Sequence, residues 1–282
     1  MKRALAAACV AALMSATRAH ASTAGPDTLA LRSGAFHLTG LLWRPQGAGP
    51  HAAVLFAHGS GHASGVGPAG PDHRHPERMG PLFARHGYVF LYLFRRGDGL
   101  SAGNGEASGD LMDREQRDHG EEARNWVQVR LLEDGELDDL LTGLRTLRRQ
   151  PQVDPGRVAI VGVSFGASLA LMAAERDSTL RATVAFSPAG YSWKRSPELR
   201  ALLLGAVDHM AASAFFIHAA NDYSTEPGQA LAAEMEKLGK PHRVKIYPAI
   251  GLSPEDGHDF VDLGITAWER DVFGFLDQSL KR

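Results

Sequence analysis

Val158-Ala159-Ile160-Val161-Gly162-Val163-Ser164-Phe165-Gly166-Ala167-Ser168-Leu169-Ala170-Leu171-Met172-Ala173-Ala174 is the stretch that decides the fold. It opens on a short apolar run of strand type and closes on a run of mostly good helix formers. Between them stands the pattern G-x-S-x-G. A sharp strand-to-helix turn holds a serine hydroxyl clear of the backbone, and the flanking glycines let that turn close without Cβ clashes. The hydroxyl becomes a nucleophile once a neighbouring base takes its proton. The pentapeptide alone is weak evidence, since an unreactive glycine turn has the same letters. The strand before it and the helix after it carry the reading of Ser164 as a nucleophile on an elbow.

The pattern of strand and helix extends in both directions. Residues 28–32 and 36–44 read as an antiparallel pair turned at Ser33-Gly34. Residues 52–57 form a continuous apolar run, the mark of a strand buried on both faces, and end in His58-Gly59-Ser60-Gly61. A Gly-, Pro- and His-rich loop fills 62–76, then a helix runs to Arg85 and closes at Gly87. Residues 88–94 are the next buried strand, ending in Arg95-Arg96-Gly97-Asp98-Gly99. From Leu111 to Gln150 the pattern is helical and charged, read as two helices broken at Gly135. Strands follow at 182–186, 214–218 and 243–247, with helices near Ala230 and Trp268. This alternation predicts an α/β fold, with a mainly parallel central sheet covered by helices on both faces.

Residues 1–21 stand apart. Lys2-Arg3, an apolar stretch from Ala4 to Met14 and the small-x-small site Ala19-His20-Ala21 have the form of a signal peptide cleaved near Ala21. The expected location is therefore the periplasm or the exterior, and residues 22–282 form one expected domain. Cleavage removes Cys9, the single cysteine of the chain, leaving neither disulfide nor thiol chemistry. The net charge of −2 comes without a basic block, which argues against nucleic acid as a partner. No later stretch is apolar enough for stable membrane insertion.

An elbow serine needs a base and an acid to orient it. In open α/β sheets functional groups gather at the carboxyl ends of strands. The strand 214–218 runs into Ala219-Ala220-Asn221-Asp222, which places Asp222 at such an end; the strand 182–186 is followed by Ser187-Pro188-Ala189-Gly190, with no acid. Of thirteen histidines, His258 lies after the last strand in Glu255-Asp256-Gly257-His258-Asp259-Phe260. Neutral imidazole takes the serine proton and returns it to the leaving group near neutral pH. Ser164, Asp222 and His258 then follow the chain order Ser, Asp, His.

On these residues the chain resembles the α/β-hydrolase superfamily, in its dienelactone-hydrolase-like and prolyl-oligopeptidase-like branch. Further pieces of the resemblance are His58-Gly59, Arg96-Gly97-x-Gly99-x-Ser101, Val153-Asp154-Pro155-x-Arg157 and Gly257-His258. It implies an oxyanion hole made by the backbone N–H groups of Ser60 and Phe165. Two departures accompany it. A serine stands where dienelactone hydrolases proper commonly use a cysteine, and no segment matches the large propeller of prolyl oligopeptidases.

Other residues have two readings each. His73-Arg74-His75 and His58-x-x-x-His62 have metal-compatible spacings without a carboxylate or cysteine set beside them, so no metal is expected. Arg95 and Arg96 fit either an anionic substrate or internal ion pairs. Tyr191 and Trp193 fit either a substrate pocket or the core, and residues within 103–135 either a lid or a solvated surface. The expected activity is cleavage of small or medium carboxylic esters by a serine hydrolase through an acyl-enzyme, with no cofactor. A serine peptidase or amidase with the same triad is the alternative, and a catalytically silent binding protein on a hydrolase scaffold is a second.

Overall fold

The computed structural model describes residues 25–61, 66–67, 70–71 and 74–281, and of residues 66–75 the backbone alone. The expected signal peptide, Cys9 and the side chains of His62, His73 and His75 lie outside the described residues.

Eight strands form the main sheet. In chain order they are β1 (Asp27–Ser33), β2 (Phe36–Trp43), β3 (His51–Ala57), β6 (Val89–Phe94), β7 (Val153–Val163), β8 (Ala182–Phe186), β9 (Ser213–Ala219) and β10 (His242–Tyr247). A two-stranded ribbon, β4 (Val66–Gly67) with β5 (Gly70–Pro71), stands apart. Across the sheet the order is β1-β2-β6-β3-β7-β8-β9-β10. β1 and β2 are an antiparallel hairpin and β2 meets β6 antiparallel; every other pairing is parallel. The carboxyl ends of β3, β6, β7, β8 and β9 therefore open on one edge.

Each central strand is buried on both faces, and its alternate residues feed two cores. Leu55, Leu91, Leu93 and Ile160 join Leu137, Leu140, Leu144 and Leu147 of α4 (Gly135–Arg148) and the buried face of α5 (Phe165–Arg176). Val54, Phe56, Phe90, Tyr92 and Val161 turn the other way, onto Met79, Leu82 and Phe83 of α1 (Arg74–Arg85) and Trp268, Val272 and Leu276 of α10 (Ile265–Ser279). Fully burying one such side chain contributes about 1.5–3 kcal/mol, which makes these layers the main source of stability.

The charged stretch read as two helices is three: α2 (Ser108–His119), α3 (Glu121–Glu133) and α4. The extra break is at Gly120, whose φ of 90° is open to glycine and closed to most residues. A further helix, α6 (Pro197–His209), lies between β8 and β9, where the sequence reading placed none. Its start signal is ordinary: the Ser196 hydroxyl accepts the Leu199 N–H at 3.1 Å, and Pro197 opens the first turn. The remaining helices are α7 (Glu226–Lys237), α8 (Pro254–His258) and α9 (Phe260–Leu263). No helix among the described residues is long and apolar enough to cross a membrane.

Candidate active site

Between β7 and α5 the backbone of Ser164 has φ 55° and ψ −119°, a conformation that costs a non-glycine residue about 1–3 kcal/mol. Its neighbours fix it there. The Ser164 N–H donates to the Phe186 carbonyl at 2.9 Å, tying the turn to the end of β8. A Cβ on Gly166 would lie 2.1 Å from the carbonyl oxygens of both Ala57 and His58, so only glycine lets the first turn of α5 meet the end of β3. The Ser164 side chain does not cap α5. Its Oγ lies instead 2.8 Å from His258 Nε2.

His258 Nδ1 in turn lies 2.7 Å from Asp222 Oδ1. The three residues that the sequence singled out thus form one unbroken relay from separate segments. With Ser164 O–H donating to Nε2, the imidazole carries its proton on Nδ1 and donates it to the carboxylate. Asp222 Oδ1 also accepts the Tyr223 N–H at 2.8 Å. Burial alone raises a carboxyl, but the hydrogen bonds from His218 and His258 outweigh it and hold Asp222 well below the usual carboxylate range.

The segment bearing His258 is fastened to the one bearing Asp222. Asn221 donates through Nδ2 to the carbonyls of Ile250 and Ser253, both at 2.7 Å, and its Oδ1 accepts the Ile250 N–H at 3.0 Å. Ser253 and Asp256 cap each other at the start of α8. A Cβ on Gly257 would fall 2.5 Å from the backbone of Asn221 and Asp222, which accounts for the glycine before the histidine. Tyr223 adds an aromatic edge, its ring centroid 5.1 Å from that of His258. Burial first, and then the hydrogen bond to Glu255, push the Tyr223 hydroxyl up to about 12, so it stays a donor at neutral pH.

Phe165 is the first residue of α5, so its N–H has no acceptor within the helix. Among the described residues neither that N–H nor that of Ser60 donates to a protein acceptor. The loop carrying Ser60 is brought to Ser164, since a Cβ on Gly59 would stand 3.7 Å from the Ser164 Cβ. Arg95 holds it there. Fully buried, it donates through Nη1 to the His58 carbonyl at 2.9 Å and through Nη2 to the Gly59 carbonyl at 2.6 Å. Its guanidinium also lies 5.6 Å from the centre of the Phe165 ring. Nε pairs with Glu136, a buried carboxyl that desolvation raises despite the arginine beside it. Glu136→Gln leaves Arg95 buried without its counter-charge and is expected to cost about 3–5 kcal/mol. A urea unfolding midpoint equal to the wild type would contradict this.

Arg96 is committed as well, donating to both oxygens of Asp139 at 2.9 and 2.6 Å. The ion-pair reading therefore holds for both arginines. Of the two aromatics, Trp193 belongs to the core at 2% exposure, whereas Tyr191 is 37% exposed and packs its ring 5.5 Å from Tyr223, on the His258 side. α2 and α3 reach loops at the sheet's carboxyl edge: the Gly109 N–H donates to Gly61 at 2.8 Å, and Asn125 donates to the Arg195 carbonyl at 2.9 Å. His58 is buried, with Nε2 3.1 Å from Asp98 Oδ2. Among the described residues no group of three or more His, Cys, Asp or Glu is placed to hold a metal ion.

Sequence reasoning missed Asn221, Arg95's hold on the Ser60 loop and His218. Only His218 carried a signal: a histidine ending the apolar run Ala214-Phe215-Phe216-Ile217, four residues before the candidate acid.

The model of the dienelactone hydrolase family matches residues 38–260. No curated protein matches the chain. Among solved structures, Pyrococcus horikoshii acylaminoacyl peptidase is similar with a TM-score of 0.65 at 20% identity, over 93% of this chain and 42% of that one. This chain thus spans about two fifths of the peptidase's length. A Pyrococcus furiosus esterase is similar with a TM-score of 0.64 at 15% identity, over 91% of both chains. A dienelactone hydrolase-like promiscuous phosphotriesterase from metagenomic libraries has a TM-score of 0.62 at 19% identity, over 92% of this chain and all of that one. At these identities the likeness is one of fold.

Proposed function

The chain belongs to the dienelactone hydrolase family, and from that premise we propose that it is a serine hydrolase that cleaves small or medium carboxylic esters through an acyl-enzyme. The observation that carries the reading is the relay Ser164–His258–Asp222, with hydrogen bonds of 2.8 and 2.7 Å. Ser164 attacks the ester carbonyl as His258 Nε2 takes its proton. Asp222 keeps the imidazole in the required tautomer and stabilises the cation that forms. The negative charge on the carbonyl oxygen meets the N–H groups of Ser60 and Phe165, each such donor contributing roughly 3 kcal/mol in the transition state. His258 then protonates the departing alcohol. Water, activated by the same imidazole, releases the acid and restores Ser164.

The helices α2 and α3 are proposed to cover this site, on their contacts with Gly61 and Arg195. Action outside the cytoplasm is part of this proposal, supported by the signal-peptide-like pattern of residues 1–21.

A fluorophosphonate probe tests the central claim. Stoichiometric labelling with the adduct on the peptide containing Ser164 is the expected result; no labelling, or an adduct on another serine, would remove it. Turnover of aryl esters with inert aminoacyl amides separates an esterase from a peptidase using the same relay.

A further inference from the structure

His218 is a second histidine on the carboxylate that His258 uses. It lies at the inner end of β9 and is fully buried. Its Nδ1 lies 2.7 Å from Asp222 Oδ2, the oxygen that His258 leaves free. Its Nε2 accepts the Gly228 N–H at 3.2 Å. Gly228 is the third residue of α7, and a helix's first turn leaves its N–H groups without intrahelical acceptors. The acceptor role of Nε2 places the ring's proton on Nδ1, so His218 donates to Asp222. Both sides of this pair are closed. A Cβ on Gly228 would be 2.7 Å from His218 Nε2, and one on Gly190 would be 2.9 Å from Asp222 Oδ1.

Asp222 Oδ2 has His218 as its donor and no other among the described residues. A buried carboxylate oxygen without a donor favours the protonated acid. It also leaves rotation about the Cβ–Cγ bond to be set by Oδ1 alone, which already serves His258 and the Tyr223 N–H.

We propose that His218 is a positioning residue of the hydrolytic reaction: its Nδ1–H holds the Asp222 carboxylate in rotation and keeps it ionised, so that Oδ1 stays in line with His258 and Ser164. The helix N-terminus of α7, through Gly228, keeps His218 in the tautomer that can do this. The inference rests on the triad assigned above.

The groups facing Asp222 are few. His218 comes from β9, His258 from α8, and Tyr223 from the turn after β9, hydrogen-bonded to Glu255 of α8. The loop after β8 brings the Gly190 backbone and the Ser187 hydroxyl, which donates to the His258 carbonyl at 3.2 Å. α7 presents the Gly228 N–H to His218. The proton equilibrium near Ser164 thus belongs to the His258–Asp222 pair, and His218 stabilises its working form, neutral imidazole beside ionised carboxylate.

The test compares pH profiles of kcat/KM for p-nitrophenyl butyrate. His218→Leu removes the donor. It is expected to lower kcat by about 10- to 100-fold with KM within about twofold, and to move the acid limb up by about half to one pH unit. The direction follows because a carboxylate relieved of one donor is a stronger acceptor for His258, which favours the imidazolium and lets the pair take up its proton at higher pH. His218→Asn keeps an N–H where Nδ1 stood and should hold the limb in place, with kcat within about threefold of wild type. A purely structural role would lower the fraction of competent sites, counted by fluorophosphonate titration, without moving the limb. A wild-type limb in His218→Leu, or a limb displaced equally by Asn and Leu, overturns the proposal. Should His218→Leu not fold, 15N NMR of the histidine-labelled wild type decides: a proton on Nδ1 alone supports it, and a proton on Nε2 overturns it. Activity surviving Ser164→Ala would instead bring down the triad itself, whatever His218 does.

Discussion

Ser164→Ala is expected to leave a folded protein whose kcat for ester hydrolysis falls by about 10⁵- to 10⁶-fold. No acyl-enzyme forms without the hydroxyl, and what remains is substrate binding and whatever the N–H groups of Ser60 and Phe165 do for attack by water. Stability should barely change, because alanine inherits the same φ of 55° and gives up one hydrogen bond, to His258. Ser164→Gly separates the two roles of the position. It is equally inactive, yet it releases the backbone strain and should be more stable than Ser164→Ala by about 1 kcal/mol. Burst and steady-state kinetics beside thermal melts read both effects. Near wild-type turnover in a well-folded Ser164→Ala protein would end the assignment.

His258→Ala is expected to lose as much, and the Ser164→Ala/His258→Ala double variant to lose little more than either alone. Residues that act as one unit do not multiply their effects. Asp222→Asn should fall about 10⁴-fold, since an amide N–H facing His258 Nδ1 forces the proton onto Nε2, where it blocks acceptance from serine. In the wild type kcat/KM should rise with pH, because only a neutral imidazole can accept the serine proton. Stability carries its own signature. Asp222 is held below the usual carboxylate range in the folded protein, so its contribution is complete above about pH 4 and disappears as the pH falls toward its folded value. The stability gap between wild type and Asp222→Asn should therefore close on acidification. Independent, multiplicative losses in the double variant would show that Ser164 and His258 do not work together.

The parts of the site legible in the sequence are those with local grammar. Ser164 announces itself because its strand, its glycines and its helix are contiguous. Asp222 stands out by elimination at strand ends, and His258 by its place after the last strand. Arg95 and Asn221 act across 36 or more and 29 or more residues, onto backbone groups, and no spacing rule records such contacts; His218 stands four residues before Asp222, but the helix N–H that orients it lies 10 residues on. The Gly120 break was hidden for a related reason. A charged amphipathic run reads as continuous, and the turn between α2 and α3 depends on where α3 must pack, with Val127, Val129 and Leu132 in the core. α6 is different: Ser196-Pro197 is a start signal that the sequence itself carries.

Among its neighbours β10 is the least secure, for it pairs with β9 alone and exposes Arg243, Val244 and Lys245 to solvent. His258 hangs from it, joined to the body by residues 248–257 and the clasp of Asn221. A strand with one partner opens at lower free energy than the centre of a sheet, and the segment it leads into opens with it. Ser164 follows a strand paired on both sides, whereas His258 follows one paired on a single side. Inactivation by mild denaturant is then expected to be a sub-global event at this margin, with Ser164 still on its elbow. The protein so inactivated should be for the most part still native, with its activity returning as soon as the margin closes.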